Sequence, residues 1–586
     1  MPIDGFFIKG VTYELAPSLY NSKVNRIYQP NSHTLLFKLY RKAGKVDLLL
    51  SAHPSYGRLH LTTRSFKQPS YPPSFCMLLR KFLIGASITA IEQFQGDRIV
   101  DIYFKRTDEF DLTNHYLLTC ELMGKHSNII LVNIKNNRIL DALKRIERSL
   151  STERELFPGV LFERPPNQGK INPHEKYLTT DMLKKSVDNH YGHFSKKTLE
   201  KFFLNTFQGV SPFLARKIIK YSHYETYQDL NGLVAFWETI KTKLEHLDIE
   251  PAISTEKESG KVIDVYWDRV FLEEDNYKIK VFSSPGKALD LYAYYKETEA
   301  YYTNLWRELY KQVSKKLTKA KRKLKKQQLE FQQAEDGEKY RKYGELLSAN
   351  YHLIEKKESN QKTVRVYDYF QDPPGEIEIP IDFSKTPGEN IESYFNKYKK
   401  AVKRLKKLGR AIYKTKHEIK YLENLVFQIE EVDNLQELEE IYQEATTEGY
   451  VQKTNKQTKT EKTRKDTQSE FIQYYSSDGF NILVGRNNAQ NDYLTQKVAA
   501  KDHLWLHTKE IAGSHVIVQG KHLPENTIKE AAEIAAYHSK ARHSENVPVD
   551  YTLVKYVKKP KGAKPGMVIY DNYKTIYVKP KTEKRP

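Results

Sequence analysis

The chain has 586 residues, 39% of them hydrophobic and 29% charged, and its 95 Lys and Arg against 74 Asp and Glu leave a formal net charge of +21. That length exceeds what one hydrophobic core organises, so about three to five folded units are expected, and so large a positive excess points to a polyanionic partner. No stretch approaches the roughly 18 uncharged apolar residues of a membrane span, so no membrane partner is expected.

The opening, MPIDGFFIKGVTYEL, lacks the basic and then apolar pattern of a signal peptide, which suggests a cytoplasmic protein. Residues 1–170 alternate strand-like and helix-like pieces. HTLLFKLYR and KVDLLLSA read as paired strands, SFCMLLRKFL as a helix, and RIVDIYFKR, HYLLTCELM and SNIILVN as further strands. Cys76 and Cys120 both lie in apolar runs and read as buried free thiols, too few to build a zinc knuckle. Between two of the strands, ELMGKHSN opens a loop. Lys125, His126 and Asn128 could meet RNA there, or Asn128 could simply hold a hairpin turn.

Residues 171–270 look helical and basic. LEKFFLNTFQGVSPFLARKIIKYS has the outline of a helix-hairpin-helix, whose glycine turn exposes N–H groups to a phosphate. Gly209, Ser211 and Lys217 are the candidate contacts, although Ser211 stands where the usual turn has a second glycine.

Val313, Leu317, Ala320, Leu324, Gln327 and Phe331 then recur at heptad spacing. The pattern resumes with Leu405, Leu408, Ile412, Thr415, Ile419, Leu422, Val426 and Ile429. This predicts an antiparallel coiled-coil arm, 271–335 outward and 396–447 back, around a small tip domain at 336–395. An arm of about 35 residues would reach ~50 Å. KKLTKAKRKLKK (315–326) has eight basic residues in twelve and no acid, and NKYKKAVKRLKKLGR repeats the theme on the returning helix. Such runs are either solvated faces or phosphate contacts; Lys315, Lys316, Lys319, Lys321, Arg322, Lys399, Lys400, Lys403 and Arg404 are the candidates for contact with phosphates.

A polar linker is expected at 448–468, followed by a compact α/β domain at 469–586. Within it DHLWLHTKEIAGSHVIVQG reads as strand, corner, strand. Trp505 and His507 share one strand face and Leu504 and Leu506 the other. Asp502, Trp505, His507, Ser514 and His515 form a constellation that suits stacking on RNA, or else Trp505 is core with His507 hydrogen-bonded beside it. No G-x-S-x-G elbow accompanies it, and two histidines with one aspartate make a poor metal set. No catalytic residue, metal or cofactor is therefore assigned.

Many of these stretches occur together, in order, in one family. DGFF, LLLSAHPSYGRLHLT, PPSFCMLLRKFL, ELMGKHSNIIL, FQGVSP, GELLSAN, DHLWLHTKEIAGSHVI and VDYTLVKYVKKPKGAKPGMV make the chain resemble the NFACT family over essentially its whole length, in the shorter bacterial form. The resemblance implies a multidomain α+β protein. Its parts would be a glycosylase-like NFACT-N domain, a helical helix-hairpin-helix domain, a long antiparallel coiled coil with a small tip domain, and a C-terminal α/β NFACT-R domain. It implies that Asp97 and Arg98 meet tRNA near the anticodon, a role that competes with an ordinary surface ion pair. It also implies ribosome-associated quality control: binding a large ribosomal subunit obstructed by a peptidyl-tRNA nascent chain, and bringing alanyl-tRNA for mRNA-independent alanine tailing. The ribosome, not this protein, would form the peptide bonds. Members are also labelled fibronectin/fibrinogen-binding proteins, so a surface adhesin is the alternative. DNA glycosylase chemistry is not expected, because Ile3 stands beside Pro2 where an acid is needed.

Overall fold

The computed structural model describes residues 3–107, 111–147, 154–166, 168–175, 177–190, 195–222, 230–272, 276–355, 362–382, 384–452 and 471–581. The chain divides into two units, 1–299 and 300–586. Among the described residues no helix is long and apolar enough to cross a membrane.

The first unit is built around α1 (Gly5–Leu19). Its N-cap is Asp4, whose Oδ1 accepts the Phe7 N–H at 3.0 Å. Phe6, Phe7, Ile8, Val11, Leu15 and Leu19 are wholly buried, and only a narrow edge at Lys9, Tyr13, Glu14 and Pro17 reaches the surface. It packs against a nine-stranded antiparallel sheet. The strands are β1 (Lys23–Asn31), β2 (Thr34–Arg41), β3 (Gly44–Ser51), β4 (Arg58–Thr62), β5 (Ser87–Gln93), β6 (Ile99–Thr107), β7 (Thr113–Glu121), β8 (Asn128–Asn133) and β9 (Arg138–Ala142). They lie in the order β4-β3-β2-β1-β5-β6-β7-β8-β9. β1 and β5 share a single residue pair, Lys23 with Ser87, so the sheet is two blocks joined at a narrow seam. The helix α2 (Ser74–Leu83) buries Phe75, Cys76, Leu79 and Leu83. Both cysteines are buried and unpaired, as their apolar neighbours suggest.

The helices Lys196–Thr206 and Pro212–Tyr221 flank the QGVS turn, each opened by a serine cap, Ser195 and Ser211. Their apolar faces enter the same core as α1.

In the second unit the helices Pro285–Glu335, from residue 300 on, and Pro387–Glu431 run antiparallel. Lys321 pairs with Glu423 at 2.6 Å and Arg404 with Glu330 at 3.6 Å, which fixes the opposed directions. Val313, Ala320, Leu408, Thr415, Ile419, Leu422 and Ile429 are buried at the heptad positions, and Leu305 and Leu309 extend the seam. At the far end a β-carbon on Gly337 would overlap that of Ala401, so only glycine lets the helices come this close. Beyond it, the helix Glu338–Ala349 and the hairpin Thr363–Asp368/Gly375–Pro380 close a small core on Leu346, Leu347, Val364, Val366 and Ile379.

The C-terminal part is a six-stranded antiparallel sheet in the order Ile472–Tyr475, Asn481–Val484, Val516–Gln519, Leu504–Thr508, Val547–Leu553, Lys574–Val578. The helix Glu525–Tyr537 covers the face carrying Leu504 and Leu506. This part meets the base of the arm through polar groups. Asn488 Oδ1 accepts from Asn424 and Gln428, and its Nδ2 donates to Glu444, which also accepts from Tyr421. Of the expected linker, residues 453–468 lie outside the described residues.

Candidate nucleic-acid interface

In the first unit the candidates gather on connections between strands. Asp97 and Arg98 end the β5–β6 turn, in which Gln95 and Gly96 take positive φ of 47° and 72°. Every polar atom of Asp97 is engaged. Oδ1 accepts the Arg98 N–H at 2.7 Å, Oδ2 accepts Gln208 Nε2 at 2.5 Å, and its carbonyl accepts Gln93 Nε2 at 2.8 Å. The expected surface ion pair between the two neighbours is absent. Asp97 is a brace, and the half-buried Arg98 guanidinium has no hydrogen-bond or ion-pair partner among the described residues. A planar cation left with its donors open, on a rigid turn, suits a phosphate or a base edge.

The turn is rigid because three glycine backbones meet there. A β-carbon on Gly5 or Gly209 would overlap the Gly96 carbonyl oxygen, and the Gly5 N–H donates to the Gly209 carbonyl at 2.7 Å. Asp4 lies just inside. Its Oδ2 accepts from Ser211 Oγ at 2.9 Å and Tyr266 OH at 2.6 Å. Burial raises the Asp4 pKa, and the hydrogen bonds from Tyr266, Phe7 and Ser211 pull it back. Asp4 is thus a buried strut.

The same contacts correct the phosphate assignment for the helix-hairpin-helix. Gly209 packs on Gly5 and Gly96 and the Ser211 hydroxyl donates to Asp4, so both are engaged within the protein and only partly exposed. Lys217 is buried over the rings of Phe213 and Tyr221. This turn serves as the joint between helices and sheet.

Leu122 N–H donates to the Arg98 carbonyl, so the β7–β8 connection lies beside Asp97 and Arg98. Lys125 and His126 stand exposed on its short 3-10 turn, Gly124–His126. Asn128 does not accompany them. It is 1% exposed; its Oδ1 accepts from the Ile129 and Lys144 N–H groups and its Nδ2 donates to the Lys144 carbonyl. Asn128 holds the loop, which is a correction to its assignment to RNA.

LLLSAHPSYGRLHLT supplies a buried charge network that residue type alone does not reveal. Arg58, wholly buried, pairs with Glu297 at 2.5 Å and donates from Nε to His60 Nε2 at 3.1 Å. His60 Nδ1 then carries the proton and donates to the Leu61 carbonyl. Arg64 pairs with Glu297 at 2.9 Å and Asp290 at 3.5 Å. Burial, with Arg58 next to it, lowers His60 to about 3. The acids that complete the network, Asp290 and Glu297, lie more than 200 residues later.

In the second unit the arm's candidates are all exposed: Lys315, Lys316, Lys319, Lys321, Arg322, Lys399, Lys400, Lys403 and Arg404. Of these, Lys321 and Arg404 carry the ion pairs noted above. The others have no acidic partner among the described residues, and Lys403, Lys406, Lys407, Arg410 and Lys414 line one groove on the returning helix. A stripe of unneutralised cations this dense fits a phosphate backbone.

The C-terminal constellation resolves into core and rim. Trp505 is wholly buried among Leu483, Leu494, Ile517, Val554 and Val557, so it stacks on no base. Its ring lies parallel to His507 at 5.9 Å and edge-on to His515 at 5.2 Å. His515 is buried too and meets Thr495 Oγ1 at 2.8 Å through Nδ1. Burial lowers His515 to about 3 and His507 to about 4, so both are neutral at pH 7. His507 is half-buried, opposite Asp550 on the next strand. Asp502 is elsewhere on the surface, paired with Lys521 at 2.8 Å. Ser514 gives its N–H to the His538 carbonyl. Of the two readings of this constellation, Trp505 follows the one that makes it core, and His515 lies in the core beside it. Among the described residues no group of three or more His, Cys, Asp or Glu is placed to hold a metal ion.

Residues 4–465 match the model for NFACT N-terminal and middle domains, and residues 470–572 the NFACT protein RNA binding domain. The chain belongs to the NFACT family. Among similar NFACT proteins, the Rqc2 homolog RqcH of Bacillus subtilis is 36% identical over 99% of this chain and 98% of its own length. The human ribosome quality control complex subunit NEMF is 33% identical over 126 residues, 22% of this chain and 11% of that protein. The N-terminal part of the fibronectin/fibrinogen-binding protein from Streptococcus suis covers 50% of this chain and 98% of its own, at 29% identity and a TM-score of 0.41.

Proposed function

We propose that this NFACT protein is a cytoplasmic ribosome quality control factor. It binds obstructed large ribosomal subunits carrying a peptidyl-tRNA nascent chain and recruits alanyl-tRNA for mRNA-independent tailing with alanine. The observation that carries this reading is the braced Asp97–Arg98 turn, with an open guanidinium beside exposed Lys125 and His126. Full-length similarity to the Rqc2 homolog RqcH supports the ribosomal setting.

The chemistry asked of the chain is positioning. Arg98 engages a phosphate or base edge of the tRNA, Lys125 adds charge, and the arm's cations hold rRNA. Catalysis is then by proximity, since a tRNA held in place converts a bimolecular encounter into a local one. Measured by filter binding, Arg98→Ala weakens tRNA binding by about tenfold or more while the protein stays folded. Equal binding by wild type and variant would sink this assignment.

A further inference from the structure

The mechanism just given does not use Lys144, although Lys144 ties the loops beside Arg98. Its Nζ donates to the Ser127 carbonyl at 2.8 Å and to the Ala52 carbonyl at 3.3 Å, spanning two connections of the sheet. Two of its three N–H donors are thereby used. No carboxylate pairs with it among the described residues, and burial lowers its pKa. A charge is an expensive way to bridge two carbonyls, because partial burial costs free energy that no opposite charge offsets. A neutral amide does the neighbouring task, where Asn128 Nδ2 serves the Lys144 carbonyl.

The groups around Lys144 are also short of negative charge. Ser127 Oγ is fully buried with no partner, and His33 Nδ1 is buried with none. The Ala52 N–H donates to the His33 carbonyl at 2.8 Å, which brings the His33 backbone to the same loop. His53 lies edge-on to His33 at 5.4 Å and stacks on Tyr56 at 3.6 Å. The charged groups facing His53 are His33, Arg58, Glu297 and Lys144, and Arg58 already occupies Glu297. Burial, with His33 and Arg58 next, brings His53 to about 4. The cluster thus holds an unpaired ammonium, a spare hydroxyl and two uncharged imidazoles.

We propose that Lys144, with the partly exposed His33 and His53, forms a seat for one phosphate group of a bound RNA, beside the 52–57 and 122–127 connections. The inference rests on the RNA-binding reading and deepens it. The anion takes the third Lys144 N–H, and its charge favours protonation of His33 or His53.

The test is the salt dependence of binding of the full chain to tRNA, with Lys144→Gln, Lys144→Arg, Ser127→Ala, Arg98→Ala and the exposed control Lys42→Gln. A phosphate contact removed lowers the slope of log K against log salt by about 1. Lys144→Gln is expected to do this and to weaken binding about tenfold at low salt. Lys144→Arg restores the slope and Lys42→Gln leaves it unchanged. Ser127→Ala, which keeps the Lys144 carbonyl tie and removes only a buried hydroxyl, leaves the slope unchanged. A Lys144→Gln slope equal to wild type, with Arg98→Ala still impaired, overturns the phosphate seat and leaves the RNA reading standing. Saturation by inorganic phosphate alone, with unchanged tRNA affinity in Lys144→Gln, assigns a free-anion site and overturns the RNA source. No tRNA binding by wild type defeats both.

Discussion

Gly209→Ala is the sharpest perturbation of the joint that braces Asp97 and Arg98. Gly209 has φ +70°, where an alanine costs about 1 kcal/mol. Its β-carbon would also overlap the Gly96 carbonyl oxygen, with the Gly5 α-carbon 2.9 Å away, and both obstacles are backbone. Relief requires moving a strand turn away from a helix, which adds about 1–3 kcal/mol. The expected loss is thus about 2–4 kcal/mol for the first unit. Gly159→Ala separates the two costs: its φ is +89° but nothing lies within 4 Å of the new carbon, so about 1 kcal/mol is expected. Urea unfolding followed by the fluorescence of Trp237 and Trp267, both buried in this unit, reads the difference. Hydrogen exchange across 94–98 and 207–211 should rise in Gly209→Ala alone. If the two alanine variants unfold at the same urea concentration, the close approach of the three glycines does not matter and the bracing argument fails.

Asp97→Ala should lower both stability, by about 1–2 kcal/mol, and tRNA binding, whereas Arg98→Ala should lower binding alone; urea curves and filter binding separate the two. Glu444 sits at about 7 through burial, against 4.5 for a free carboxyl, so the folded state holds its proton more tightly. Its stabilising effect is full below pH 4.5 and is lost as pH rises through 7, so Glu444→Gln should stabilise the second unit by about 2–3 kcal/mol at pH 8 and little at pH 4.5. The depressed His507 and His515 act in the opposite sense. Their contribution is present above about 6.5 and lost as pH falls toward 4 and 3, and their proton NMR signals should not titrate between pH 8 and 5.5. Arg58→Met should cost about 3 kcal/mol by leaving Glu297 and His60 short of a buried partner, measured by thermal melting.

Elements with a one-sided period were legible from the residues. The heptads gave the paired helices because Val313, Ala320, Ile419 and Leu422 recur on one seam, and SFCMLLRKFL showed its buried stripe. The strand after Arg98 was legible in RIVDIYFKR as an apolar run, whereas β5 before Asp97 was not. α1 was not legible, since apolar residues crowd its first turns and leave only a thin edge at Lys9, Tyr13 and Pro17 to set a period. Trp505 and His507 were placed on one face correctly, but whether that face is solvent or core depends on Leu483, Val554 and Tyr570 folding over it. Asn128 and Lys217 are polar residues drawn inside by contacts distant in sequence or by aromatic neighbours. The Arg58 network escaped for the same reason, its acids lying on the helix that begins at Pro285. Residue type marked the chemistry each group can do; only the fold decided which way it faced.

The most direct test of the central claim is to crosslink the protein to RNA in cells with stalled translation, purify it, and sequence what is attached. The account predicts large-subunit rRNA together with enrichment of one tRNA, the alanine acceptor, with the tRNA lost in Arg98→Ala and the rRNA retained. Recovery of neither RNA above background, or of tRNA undiminished by Arg98→Ala, would contradict it.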